Sequence, residues 1–185
     1  MIGKKNIVFG FIFLVFTASL GPYMVVNYDT WTKTYGDKQG IIGPLQELKS
    51  NSYEIELEPV APEEHAKMNT NSILILNQLV NAETEIDLIK GGPHAHGNLE
   101  AVLNIIVGIV LGFLACGSLI KQIISWLFIV GTLMHSGMLF FERVFQYEWA
   151  SMLLNTGIGP IAILLGLLLT GVMAALSFQE QNMRD

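Results

Sequence analysis

The side chains best suited to chemistry gather in one short stretch, His94-Ala95-His96-Gly97-Asn98-Leu99-Glu100, which runs on to Asn104 inside an otherwise apolar segment. Imidazoles and carboxylates are ordinary ligands of zinc, copper and iron, and imidazoles also carry protons. If a helix begins near Gly97, His96, Glu100 and Asn104 fall at i, i+4 and i+8 and share one stripe. His94 and His96 suit a ligand pair on an extended stretch better than on a helix, where residues two apart diverge. Further along, His135 and Glu142 add an imidazole and a carboxylate, so His94, His96, His135 and Glu142 form the candidate metal set. Asn104, His135 and Glu100 are the candidate catalytic groups, and His96 with His94 the candidate cofactor ligands. Each has a plainer reading. His94 and His96 suit an interface beside a glycine turn, His135 a hydrogen bond to Asn104 or a carbonyl, and Glu100 a pairing with Arg143. Glu142, Arg143 and Glu148 suit a solvated loop.

These residues matter more because of what surrounds them. Charged residues make up 14% of the chain and hydrophobic residues 51%, against about 25% charged in soluble domains. A bilayer core about 30 Å thick needs about 20 mostly apolar residues in a helix. Four stretches qualify: Ile7 to Val26, Asn98 to Ile120, Gln122 to Phe141 and Met152 to Phe178. The expected fold class is an all-α membrane protein, with four transmembrane helices and a mixed outer segment between the first and second. Its parts are a first helix over 1–26, an extracytoplasmic acidic segment over 27–97, a three-helix bundle over 98–178 and a tail over 179–185. Lys4 and Lys5 before the first apolar run also suit a cleaved signal peptide. The run continues through Tyr23 to Val26, longer than such a peptide needs, so an uncleaved span is expected.

Lysine and arginine near the spans set the orientation. Lys4 and Lys5, Lys121 and Arg184 place both termini in the cytoplasm of a multi-pass cell-membrane protein. The 71 residues from Asn27 to Gly97, with eleven acidic and five basic side chains, then lie outside. Within them, Tyr53 to Glu58 alternates apolar with acidic and predicts a strand or extended arm. From Pro62 the pattern turns helical, with Glu63 and Glu64 at the positive end and Ile73, Leu76, Leu79 and Val80 along one side. Gly91-Gly92-Pro93 is expected to break the chain before the second span.

In this topology Asn104 and His135 sit at one depth, with Glu142 and Arg143 near His96 and Glu100, and Asn155 and Thr156 entering from the fourth helix. Polar groups are costly in a span, and here they cluster in the outer third while the inner halves read as apolar. Gly108, Gly112 and Cys116 form a small-residue stripe suited to close helix packing, and self-association is expected along it. Gly157-Ile158-Gly159-Pro160 marks a kink in, or the start of, the fourth helix. The single cysteine excludes disulfides within the chain and thiolate metal sites.

The run His-Ala-His-x-Asn-Leu at the outer start of a span resembles a motif of small membrane proteins related to the heme-copper oxidase large subunit. The order of one helix, a polar outer loop, a second helix opening with Ala-His, and two more helices is also similar to styrene oxide isomerase and hydroxylaminobenzene mutase. The similarity covers roughly residues 93–178. For the isomerase it implies a b-type heme held by a histidine at the head of the second helix, ferric iron acting as Lewis acid on an epoxide, and a homotrimer. His96 is the matching position.

The residues themselves allow such a group. An imidazole at the apolar edge of a bundle, its second nitrogen held by a carboxylate or carbonyl, is a workable axial ligand. With no Cys-x-x-Cys-His site the heme b would be non-covalent; a metal ion is the alternative cofactor. Two functional classes follow. One is a redox or isomerase-like protein acting on a small apolar molecule from the membrane. The other is a non-enzymatic structural or assembly subunit of a membrane complex. The expected partners are the lipid bilayer and either further copies of the chain or the subunits of such a complex. Nucleic acid is excluded by a net charge of -6 without any basic run, and a transporter is disfavoured by the missing inverted repeat.

Overall fold

In the computed structural model, residues 2–55 and 58–178 are described, apart from the side chains of 29–31 and 55. Glu56 and Leu57 of the alternating segment, and the tail with Arg184, lie outside them. The chain divides into two compact units: one formed by the first 21 residues with those from Leu88 onward, the other by Pro22–Asp87.

In the first unit, helix α1 (Lys4–Ala18) lies along α4 (Ala95–Phe113), α4 packs on α5 (Ser118–Thr132), and α5 packs on α8 (Ile158–Ser177). The apolar runs form helices, in which the backbone satisfies its own N–H and C=O groups. Small residues set how closely α1 and α4 approach. A Cβ on Gly97 would lie 2.9 Å from the Thr17 Cβ, inside any real contact distance. Between α4, α5 and α8 the core consists of Val107, Leu111, Leu114, Ile124, Phe128 and Ile163.

The turn joining α4 to α5 comes earlier than expected. Helix ends at Phe113, Leu114 is extended, and the Ala115 N–H donates to the Ser177 carbonyl at 2.7 Å, tying the turn to the end of α8. The expected second span to Ile120 is therefore cut short, and Cys116 sits in the turn, away from any helical stripe. Gly108 backs onto Gly3 and Ile7 of α1, so the chain uses it internally, whereas Gly112 faces open space.

Two five-residue π turns interrupt this unit: Lys90–His94, immediately before α4, and Leu133–Gly137, between α5 and α6 (Met138–Phe145). Gly91-Gly92-Pro93 breaks the helical path before α4, as expected. The kink lies at Gly92, with φ -85 and ψ -107. After α6, Gln146 turns left-handed at φ 56, a short α7 (Glu148–Leu154) follows, and Gly157 at φ 67 opens α8. Gly157-Ile158-Gly159-Pro160 is thus the start of the fourth long helix, not a kink within a span beginning at Met152.

In the second unit, α2 (Leu20–Ser50) runs unbroken through Pro44, and α3 (Pro62–Ile89) begins where the proline and Glu63-Glu64 place it. Between them β1 (Glu54–Ile55) and β2 (Glu58–Pro59) pair antiparallel. The segment between the first two apolar runs is therefore almost wholly helical, with one short hairpin; the helix over 27–50 carries no strong apolar period. Four helical runs are long and apolar enough to cross a membrane: Lys4–Ser50, Pro62–Phe113, Ser118–Phe145 and Ile158–Ser177.

Candidate metal centre

Helix α4 supplies the first half of the site. Its stripe is real but graded: His96 is exposed, Glu100 is 5% exposed, and Asn104 is fully buried. The π turn in the facing helix supplies the second half. Neighbours on a regular α-helix point about 100° apart, yet His135 and Ser136 both reach one carboxylate. His135 Nδ1 lies 2.5 Å from Glu100 Oε1, and the Ser136 hydroxyl donates to Oε2 at 2.7 Å. Such turns recur at functional sites because they re-aim side chains in this way. Behind it, Gly159 of α8 presses on the backbone of Met134 and His135, where a Cβ would come within 2.6 Å of the His135 nitrogen. The turn is held from the back by a contact that only glycine permits.

A carboxylate oxygen accepts and Nδ1 donates, so Nε2 is the nitrogen of His135 that a metal could take without breaking this bond. The His96 ring meets that of His135 edge-on, centroids 5.1 Å apart. His96, Glu100 and His135 each offer a ligand atom, all within 4.8 Å of one another. A tetrahedral ion with bonds of about 2.1 Å holds its ligand atoms about 3.4 Å apart. To share one ion through those atoms, His135 and Glu100, now 2.5 Å apart, would open to that spacing, and His96, which is exposed, would turn toward them. The rings are in edge contact, which leaves no slot between them for a macrocycle. As placed, the two imidazoles cannot ligate one heme from opposite sides. The donor set therefore fits a metal ion better than a heme.

Two expected ligands lie elsewhere. His94 faces α1, its Nδ1 3.1 Å from the Thr17 carbonyl, while the Thr17 hydroxyl donates to Asn98 Oδ1 at 2.7 Å. The π turn before α4 sends it there, and the contact ties α4 to α1. Glu142 pairs with its neighbour Arg143, Oε2 3.3 Å from Nε, and that buried oxygen has no aligned hydrogen bond. Glu100 takes the carboxylate place assigned to Glu142 and pairs with His135 rather than Arg143. Asn155 and Thr156 fall in the α7–α8 turn, where Thr156 bonds the Leu153 carbonyl.

Asn104 lies one turn deeper than His135. Its amide donates to Thr132 Oγ1 at 2.9 Å and to the Glu100 carbonyl at 3.0 Å, and its oxygen accepts from Asn6 at 3.1 Å. Asn6 in turn accepts from Ser125 and donates to the Ser125 carbonyl. Asn6, Ser125 and Thr132 are all fully buried, so a polar file continues into the half of the bundle expected to be apolar. The register shifted because the α4–α5 turn is earlier; Asn104 accordingly meets Thr132 instead of His135.

Comparison with family models, with curated proteins and with solved structures finds no match to this chain.

Proposed function

We propose that the chain is a multi-pass membrane protein that binds one transition-metal ion through His96 and His135, with Glu100 as third ligand or as the carboxylate that orients His135. One observation carries the reading: three ligand-bearing side chains from two helices converge within 4.8 Å, around a glutamate whose two oxygens are each held. A carboxylate behind a metal-binding histidine fixes its tautomer and raises its basicity. Among the described residues three protein ligands converge and His96 is exposed, which leaves coordination positions for a small molecule, as in catalytic rather than closed structural sites. When bound, the ion would supply Lewis-acid or redox chemistry at the rim of an apolar bundle, suited to a small apolar molecule arriving through the bilayer. The resemblance to styrene oxide isomerase is in keeping with such a role, with an ion in place of heme.

The test is metal content and absorption of the detergent-purified protein. Wild-type protein reconstituted with zinc, iron or copper salts should hold about one ion, and His96→Ala and His135→Ala should lose it while remaining folded. A Soret band would substitute heme for the ion. Neither metal nor heme at stoichiometric level overturns the proposal.

A second reading keeps a specific observation in its favour. Glu100, His135 and Ser136 already satisfy one another, as a purely structural network would. A non-enzymatic subunit of a membrane complex would need nothing more, and absence of metal from every preparation would select it.

A further inference from the structure

At the opposite end of the first unit, α1 and α5 leave an open groove of about 790 Å³ lined by Ile2, Lys4, Lys5, Val8, Phe9, Ile12 and Gln122. We infer that this groove is a binding site for an anionic phospholipid, the phosphate at Lys4 and Lys5 and an acyl chain along Val8, Phe9 and Ile12. The inference rests on the membrane-spanning part of the proposed function and not on the metal.

Dimensions and charge together identify the occupant. From Ile2 to Ile12 the groove follows ten residues of chain, about 15 Å if helical, which is about the hydrocarbon depth of one leaflet. A free phosphate would use its mouth and make no use of the apolar floor. The mouth is built. The Lys5 ammonium donates to Gln122 Oε1 at 2.5 Å and lies 4.2 Å from the Trp126 ring centroid, so it is held at the α1–α5 seam with further donor capacity. Lys4 beside it is exposed. The chain carries a net charge of -6, yet residues 1–28, 101–141 and 149–179 contain no Asp or Glu. The lysines therefore face no acid within these stretches, and Lys121 adds a third positive charge before Gln122. Basic pockets between spans on the cytoplasmic side are the recurrent form of anionic headgroup sites.

The full chain, purified in a mild detergent, would be titrated with phosphatidylglycerol or phosphatidylcholine of the same acyl chains and read by native mass spectrometry. Expected are retention of phosphatidylglycerol in preference to phosphatidylcholine, and loss of that preference in Lys4→Gln/Lys5→Gln, by about 25-fold at roughly fivefold per lysine. Val8→Trp/Ile12→Trp, which keeps both charges and fills the floor, should lose the lipid as well. Lys5→Arg should retain it. Equal retention of the two lipids by wild type overturns the site, as does a preference that survives either double substitution. Competition by soluble glycerophosphate at lipid concentrations would make the ligand a free phosphate and overturn the lipid assignment. Flotation with neutral phosphatidylcholine vesicles separates the premises: a protein that does not float is not inserted, whereas one that floats without discriminating lacks only the groove.

Discussion

Replacing Glu100 by glutamine distinguishes a carboxylate that serves a metal from one that serves only the fold. Glutamine keeps the volume, and its carbonyl can accept from His135 Nδ1 while its amide donates to the Ser136 hydroxyl, which can turn to accept. Both partners that now bind the carboxylate, at 2.5 and 2.7 Å, thus remain satisfied. Stability should fall by less than about 1 kcal/mol, a Tm change of roughly 2–4 °C at most. The lost charge should weaken metal binding by about 10–100-fold, the usual cost of removing a carboxylate behind a metal-bound histidine. Glu100→Ala is the contrast. It leaves His135 and Ser136 unpaired in a buried site, at about 1–3 kcal/mol each, so stability and affinity fall together. Thermal unfolding in detergent and metal competition against a chromogenic chelator measure the two quantities. A glutamine variant that loses several kcal/mol of stability, or that binds metal as tightly as wild type, refutes the metal-serving role.

Acidification should release the metal, because ligating imidazoles and carboxylates must be deprotonated; calorimetry in buffers of differing ionisation enthalpy should show protons released on binding. Gly97→Ala should destabilise by about 1–3 kcal/mol through overpacking, since its Cβ would sit 2.9 Å from Thr17 Cβ. Thr17→Ser, which removes the crowding methyl and keeps the hydroxyl, should recover part of that loss in the double variant, and additive losses would show that the clash is not the cause. Gly159→Ala should displace the π turn and lower metal affinity without touching a ligand; unchanged affinity would show that the turn is not held from behind. A reporter fused after Asp185 should read as cytoplasmic and one inserted between Thr30 and Lys90 as external, and an external C-terminus would contradict the assigned orientation.

The sequence makes the long helices legible because apolar length is a coarse signal, and it makes the α4 stripe legible because His96, Glu100 and Asn104 follow the helical period. It hides the turn at Leu114–Gly117. Those residues are as apolar as the helices they join, and only the bonding of Ala115 to Ser177 fixes them there. Helix ends seven residues before Ile120 and resumes four before Gln122, so Asn104 faces Thr132, three residues before the expected His135. The π turn is invisible to periodicity, which is why Ser136 went unnoticed beside His135. Nothing in the sequence ties Asn6 to Ser125 or Thr132, yet each is fully buried and bonded. The helix over 27–50 is hidden in the sequence by Gly36, Gly40, Gly43 and Pro44, residues that disfavour a helix interior.

The polar file joining α1 to the later helices has a consequence for the order of synthesis. Asn6 finds its partners at Asn104 and Ser125, 98 and 119 residues downstream, and Thr17 finds Asn98. At about 5–20 residues per second, α1 is made roughly 5–20 s before α4. On the proposed membrane insertion, the Asn6 amide would during that interval face lipid, another copy of the chain or an insertion chaperone. The residue that locks the finished bundle is thus the one that makes its first helix a poor solitary span, and the nascent chain is most open to capture or degradation just then.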